Sequence, residues 1–325
     1  MTVDEFIAQW NDTSDTVAVY TSGSTGQPKL MNAEKVRMRA SALMTCRALG
    51  LKSGDKALVC LPMDYIAGKM MVVRSLVAHL DMLCVEPSGH PLSKVTDDEV
   101  IDFAAMVPMQ VFNSLSVESE ARRLRRIRHL LIGGGAIDES LERQLRTFPH
   151  AVWSSYGMTE TLSHIALRKV NSLDADDWYH PLPGVSVSLS DSGCLVIDAP
   201  AVCGERLFTN DIAVIDTSSS TPRFRIIGRR DNVICSGGVK IQIEEVERAL
   251  RPHLSCPYIV TKRRSPRFGE EVVLLTEDFA TEDVKAICHR VLPPYWQPKS
   301  VKHVDRIPMT ETGKPARAEA EKMAD

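Results

Sequence analysis

The sequence has no two cysteines at C-x-x-C spacing, although it contains eight: Cys46, Cys60, Cys84, Cys194, Cys203, Cys235, Cys256 and Cys288. That spacing excludes the common zinc and dithiol frameworks, and scattered single cysteines fit a reducing compartment. No apolar run approaches the roughly 20 residues that span a bilayer. The opening stretch, MTVDEFIAQWNDTSD, is acidic and lacks the apolar centre of a secretory leader. Charge of one sign is not in excess either, since 39 basic against 42 acidic residues leave −3. This balance argues against gripping nucleic acid or an anionic membrane as the main task. Internal repeats and long low-complexity segments are absent as well. Together the absences lead to the expectation of a cytoplasmic protein with no nucleic-acid or membrane partner.

What is present is ordinary globular material. A chain of 325 residues, 44% of them hydrophobic, has the size of about two domains with packed cores. TVAVY at 16–20 reads as a short strand that stops at a Ser/Thr/Gly cluster. Residues 33–49 have helical periodicity, 57–61 read as a buried strand, and 69–78 read as a buried helix. Further strands at 130–132 and 152–155 run directly into glycines. This alternation predicts an α/β architecture with ligand loops at strand ends. From Val185 the texture changes to short strands, VSVSL, CLVID, RLFTN, IAVID and FRIIG, with turn residues between them. A smaller unit of mixed helix and strand follows. The expected division is 1–230, α/β with a β-rich end, and 231–325, a small α+β domain.

Several segments have the composition of ligand loops. Thr21–Lys29 (TSGSTGQPK) offers Gly23 and Gly26 for close backbone approach to an anion, hydroxyls on Thr21, Ser22, Ser24 and Thr25, and the cation of Lys29. Its spacing differs from the G-x-x-x-x-G-K-[ST] phosphate loop, and such clusters also mark plain loops. IGGGA at 132–136 suits either a flat ligand lying on the backbone or a tight turn. SYGMTET at 155–161 brings together the ring of Tyr156, the hydroxyl of Thr159 and the carboxylate of Glu160, which suits Mg²⁺ beside phosphates. The alternative there is a loop with a buried Tyr and a helix-capping Thr–Glu. TND at 209–211 ends a strand with a carboxylate able to hold ribose hydroxyls, or is simply a turn. GRRDNVICSGG at 228–238 and TETGK at 310–314 complete the series. The basic run RRLRRIRH at 122–129 reads as a solvated helix face, with CoA phosphates as the sharper alternative.

Taken in order, TSGSTGQPK, GGGA, YGMTE, TND, GRRDNVICSGG and TGK resemble the signatures of the acyl-adenylate-forming superfamily. The match runs from Thr21 to Lys314, nearly the whole chain. The resemblance implies an acid–thiol ligase that uses ATP, Mg²⁺ and coenzyme A. A carboxylate attacks the α-phosphorus of ATP to give acyl-AMP and pyrophosphate, and a thiol then displaces AMP. It implies that Thr21–Lys29 hold the β- and γ-phosphates. Gly134, Gly135 and Ala136 line the adenine, with Tyr156 stacked on it. Thr159 contacts the α-phosphate, Glu160 holds Mg²⁺, and Asp211 and Arg229 bind ribose. Lys314 bridges the carboxylate and the α-phosphate in the first step. Asp231 is the implied hinge of a mobile C-terminal domain, whose rotation brings Gly237 and Gly238 to the thiol tunnel. Most members carry a long segment before the phosphate loop. Here 20 residues precede it, so the resemblance implies an N-terminal domain truncated at its start.

Within the superfamily, LPMDYIAGKMM at 61–71 and SYGMTETLSHIALR at 155–168 look most like the o-succinylbenzoate–CoA ligases of menaquinone biosynthesis. That acid has an aromatic ring and two carboxylates. The resemblance implies a flat slot formed by Tyr65, Ile66, Ala67 and Gly68. Polar partners for the second carboxylate are sought among Lys69, Ser154, Ser155, Thr161, Ser163 and His164. The bland readings are a solvent-reaching helix lysine for Lys69 and a satisfied structural histidine for His164. The alternatives in function are a CoA ligase for another aryl or acyl acid and a stand-alone module that loads a carrier-protein thiol. The resemblance leaves self-association into a homo-oligomer open.

Overall fold

The computed structural model describes residues 1–20, 30–171, 176–218, 221–310 and 315–325. The loop Thr21–Lys29 and the lysine Lys314 therefore lie outside the described residues. The chain divides into two compact units, one formed by Met1–Ser188, Val196–Leu207 and Ile215–Arg225, the other by Leu189–Leu195, Phe208–Val214 and Ile226–Asp325.

The first unit is built on a seven-stranded sheet in the order Asp81–Cys84, Lys56–Val59, Phe103–Met106, His129–Ile132, Ala151–Gly157, His164–Lys169 and His180–Pro181. The first five strands pair in parallel, and the last two join antiparallel. The parallel strands are short apolar runs because both of their faces are covered. Successive side chains point to opposite faces. Ala57, Val59, Phe103, Ala105 and Leu131 enter one core with Met38, Met70 and Val73 of the helices Lys35–Leu49 and Ile66–Ala78. Leu58, Ala104, Met106, Leu130 and Ile132 enter the other with Val111, Leu124 and Leu141 of three later helices. The result is a helix–sheet–helix sandwich. All parallel strands end on one edge, and the segments after 59, 106, 132 and 157 emerge there.

The helix Lys35–Leu49 stops at Gly50, whose φ of 64° is the left-handed conformation of a C-cap. A two-stranded antiparallel ribbon, Thr16–Tyr20 with Leu30–Glu34, flanks residues 21–29. A four-stranded sheet follows chain order through Ser186–Leu189, Cys194–Asp198, Leu207–Asp216 and Arg223–Arg229. Here the expectation of separate strands at RLFTN and IAVID is corrected. They form one continuous strand, so Asp211 lies inside it rather than at its end. Asn-Asp favours turns only weakly, and pairing on both sides overrides that preference.

In the second unit, Val239–Gln242, Val233–Ser236, Gly269–Thr276 and Tyr258–Ser265 form a sheet in that order, and Ser300–His303 pairs parallel to Gly269–Thr276. Ile234, Ile241, Val246, Leu250, Val260 and Val272 make its core with the helices Ile243–Leu250 and Thr281–Val291. The C-terminal helix Arg317–Ala324 is pinned by a two-pronged pair, Arg317 Nη1 and Nη2 donating to Glu247 Oε1 and Oε2 at 2.7 and 2.6 Å. None of the helices in the described residues is long and apolar enough to cross a membrane.

Candidate active site

The strand His129–Ile132 delivers Gly133, Gly134 and Gly135 to the C-terminal edge of the parallel strands, where ligands of α/β sheets generally bind. Two of these glycines are required by geometry. A Cβ on Gly133 would fall 2.5 Å from Ser155 Oγ, and Gly134 has φ +78°. Ser155 Oγ donates to Ile132 O at 3.1 Å, which ties the glycine edge to the neighbouring strand Ala151–Gly157. Gly135 is different: a Cβ there would meet only Pro108, at ordinary contact distance. Its lack of a side chain leaves backbone open on this edge.

The strand Ala151–Gly157 then presents Tyr156. Its ring lies 5.1 Å from Phe224, edge-on, and 5.8 Å from Tyr179, while Tyr179 and Phe224 stack at 5.6 Å. Ser154 Oγ and Tyr179 Oη share a hydrogen bond of 2.8 Å. Beyond the strand the chain makes a tight reversal into His164–Lys169. Gly157 is indispensable there, because a Cβ would sit 2.3 Å from Ser163 O and 2.5 Å from His164 Cα. The buried Thr161 holds the turn from within, its Oγ1 accepting from Met158 N–H at 3.0 Å and lying 2.7 Å from Ser163 O. Leu162 adopts φ +62°, a strained value for a side chain with a Cβ. Of the turn, Glu160 is exposed and Thr159 half-buried. Among the described residues no three His, Cys, Asp or Glu side chains gather into a metal cage. A single exposed carboxylate fits Mg²⁺ shared with phosphate oxygens better than a metal held by protein alone.

The segment expected to form the acyl slot follows the strand Lys56–Val59 and opens the helix Ile66–Ala78. Gly68 is fixed by packing, since a Cβ would meet Pro62 O at 2.3 Å. Lys69 does not reach solvent: it is buried, and its Nζ donates to Ala18 O at 3.2 Å. Burial lowers its pKa, partly offset by Asp64. His164 is buried and both ring nitrogens are engaged, Nε2 with Thr45 Oγ1 at 3.1 Å and Nδ1 with Ser163 Oγ at 3.3 Å. Burial holds its pKa well below the usual range, and Arg74 pushes the same way. Arg74 is the functional-looking residue that sequence reading missed. It is 2% exposed, its Nη2 donates to Ser163 Oγ, and burial lowers its pKa to about 10. A mid-helix arginine looks like a solvent-face residue in sequence, and only its surroundings reveal otherwise.

In the second unit, Asp211 and Arg229 come together at 3.5 Å, and Arg229 also bonds Asp231 at 3.2 Å. Asn210 links the same group, donating to Asp231 and accepting from Arg230 at 2.7 Å. Gly237 and Gly238 turn the hairpin between Val233–Ser236 and Val239–Gln242, with φ of 57° and 84°. The basic run 122–129 is engaged locally: Arg123 bonds Asp97 at 2.8 Å, Arg126 bonds Asp97 O, and Arg128 pairs with Asp55.

Residues 4–206 match the profile of a family described as AMP-binding enzyme. A 2-succinylbenzoate–CoA ligase of Listeria monocytogenes is 23% identical over 337 residues, covering 95% of this chain and 70% of that protein. The crystal structure of an acyl-CoA synthetase (AMP-forming)/AMP-acid ligase II-like protein from Dyadobacter fermentans is 32% identical, with a TM-score of 0.66 over 99% of this chain and 93% of that one. The o-succinylbenzoate coenzyme A synthetase of Bacillus subtilis, solved with ATP and magnesium, shares the fold at a TM-score of 0.78 and 22% identity, over 93% of this chain and 69% of that one.

Proposed function

Because the chain belongs to the AMP-binding enzyme family, we propose that it activates a carboxylic acid with ATP as acyl-AMP and then transfers the acyl group to coenzyme A, with o-succinylbenzoate as the acid. The observation that carries this reading is the convergence at one sheet edge of the glycine backbone at 134–135, the ring of Tyr156 and the turn with half-buried Thr159 and exposed Glu160. The choice of acid is supported by the LPMDYIAG and SYGMTETLSH segments and by the relatives that carry that ligase's name.

In this reading Gly134, Gly135 and Ala136 offer adenine a flat backbone surface, and Tyr156 stacks on it. Asp211 accepts from the ribose hydroxyls, and Arg229 orients Asp211. Thr159 donates to an α-phosphate oxygen. Glu160 would hold Mg²⁺, which would supply charge neutralisation at the phosphates. Thr21–Lys29 clamp the β- and γ-phosphates, and Lys314 bridges the acid and the α-phosphate. The chemistry is mostly positioning and charge compensation, which suits a site of backbone amides, hydroxyls and fixed cations. The 231–325 portion turns about Asp231 between the half-reactions, so that Gly237 and Gly238 serve the thiol step.

The test is to incubate the pure protein with ATP, Mg²⁺, CoA and a panel of acids, following pyrophosphate and thioester. Thioester with o-succinylbenzoate is expected. Turnover of a different acid alone would replace the substrate. Adenylation without transfer to free CoA would point to a carrier-protein thiol instead.

A further inference from the structure

A chain of buried hydrogen bonds crosses the first unit behind the Thr159–Glu160 turn. The one fixed acceptor in it, Ser41 O, orders the chain in one direction. Thr45 Oγ1 donates to Ser41 O at 3.2 Å, so its lone pair is left to accept from His164 Nε2–H at 3.1 Å. His164 Nδ1 is then a bare acceptor and takes the Ser163 hydroxyl proton at 3.3 Å. Ser163 Oγ in turn accepts from Arg74 Nη2. Each link then has one donor and one acceptor, provided His164 is the neutral Nε2–H tautomer, while the buried Arg74 Nε finds no partner among the described residues. A second proton at Nδ1 would remove the acceptor of the Ser163 hydroxyl proton and would add charge beside a buried guanidinium.

The chain is anchored at both ends in helices and passes through the turn. Thr45 belongs to Lys35–Leu49 and Arg74 to Ile66–Ala78, the helix that begins with the acyl segment. Ser163 follows the strained Leu162, and its carbonyl packs on Gly157. Strain of this kind persists only where the surroundings over-determine it. Thr45 is fully buried and His164 is 6% exposed, so water is kept from the bond between them, whereas Ser163 is half-buried.

We infer that Ser163 and His164 are positioning residues, which lock the turn presenting Thr159 and Glu160 onto the two helices and so hold the metal-nucleotide groups in one frame with the acyl segment. The inference rests on the roles proposed above for Thr159 and Glu160. It moves Ser163 and His164 from direct substrate contact to action through the turn.

Two measurements on the full chain test it. Long-range ¹H–¹⁵N spectra of histidine-labelled protein should find His164 neutral with the proton on Nε2 between about pH 6 and 8. A proton on Nδ1 overturns the relay whatever the enzyme does. In kinetics, Ser163→Ala should raise the Mg²⁺ concentration for half-maximal pyrophosphate release about tenfold. Thioester formation from supplied acyl-AMP should fall much less, and Ser163→Thr should restore the Mg²⁺ dependence. Equal loss in both half-reactions, or no change in either, overturns the positioning role while leaving the ligase reading intact. A wild-type protein that releases no pyrophosphate with any acid overturns the ligase reading and the role together, and the spectra then still decide the relay.

Discussion

Single residues divide into those fixed by packing and those left open for a ligand, and glycine separates the two. Gly157 faces backbone at 2.3 Å, so Gly157→Ala is expected to cost at least about 2 kcal/mol and to abolish activity. The urea midpoint reads the first effect and pyrophosphate release the second. Gly135 meets only a proline ring at van der Waals distance. Gly135→Ala should therefore leave stability within about 0.5 kcal/mol and raise the KM for ATP several-fold. An unchanged KM would remove Gly135 from the proposed adenine surface. Lys69 and Arg74 make the complementary point. Lys69 has a solvent-reaching lysine as its bland reading, and Arg74 has no reading from sequence, yet both are buried. Burial of a cation depends on what lies above it, and for Lys69 that is the backbone of Ala18, 51 positions away in sequence.

At the scale of elements, the helix Glu139–Leu145 is held to the sheet by charge. Arg168 Nη1 and Nη2 donate to Glu142 Oε1 and Oε2 at 3.1 and 2.8 Å. Burial alone would raise the pKa of Glu142, and the arginine overcomes it, so the net direction is below the ordinary value of 4.5. The folded state therefore binds this proton less readily than the unfolded chain. The stabilisation is fully present above about pH 4.5 and is lost as pH falls through the lower folded value. Glu142→Gln should lower stability at neutral pH by about 3 kcal/mol and flatten the acid limb of a denaturation-midpoint profile. A variant profile parallel to the wild type would exclude Glu142 as the source of that limb. The strand Leu207–Asp216 shows where element reading by composition stops. TND looks like a strand end, and the ladder carries it through as strand interior. Helices and buried parallel strands were better legible, because apolar periodicity reports burial directly. The segment 33–49, read as helical from its periodicity, is the helix Lys35–Leu49.

At the scale of the whole molecule, the proposed rotation about Asp231 gives the sharpest kinetic expectation. Lys314→Ala should abolish pyrophosphate release from ATP and acid but largely spare thioester formation from pre-made acyl-AMP, each followed as a separate half-reaction. If both survive, the proposed use of Lys314 is wrong. The sequence by itself determined the α/β class, the order of the glycine- and hydroxyl-rich loops and the family, because glycines, hydroxyls and apolar runs at fixed intervals are local signals that survive without coordinates. It also placed GGGA and YGMTE next to strand ends, and adjacent parallel strands put both on one edge. Only the tertiary structure decided which polar side chains face the ligand edge and which are bonded away from it. Thr45, Arg74, Ser163 and His164 lie up to 119 positions apart. No local pattern links them, and the partners against the two nitrogens of His164, from which its tautomer is inferred, are set by folding. The same holds for the pairing of Asp211 with Arg229. Chemistry at a site is set by distance and desolvation, and both are properties of the packed chain rather than of any segment of it.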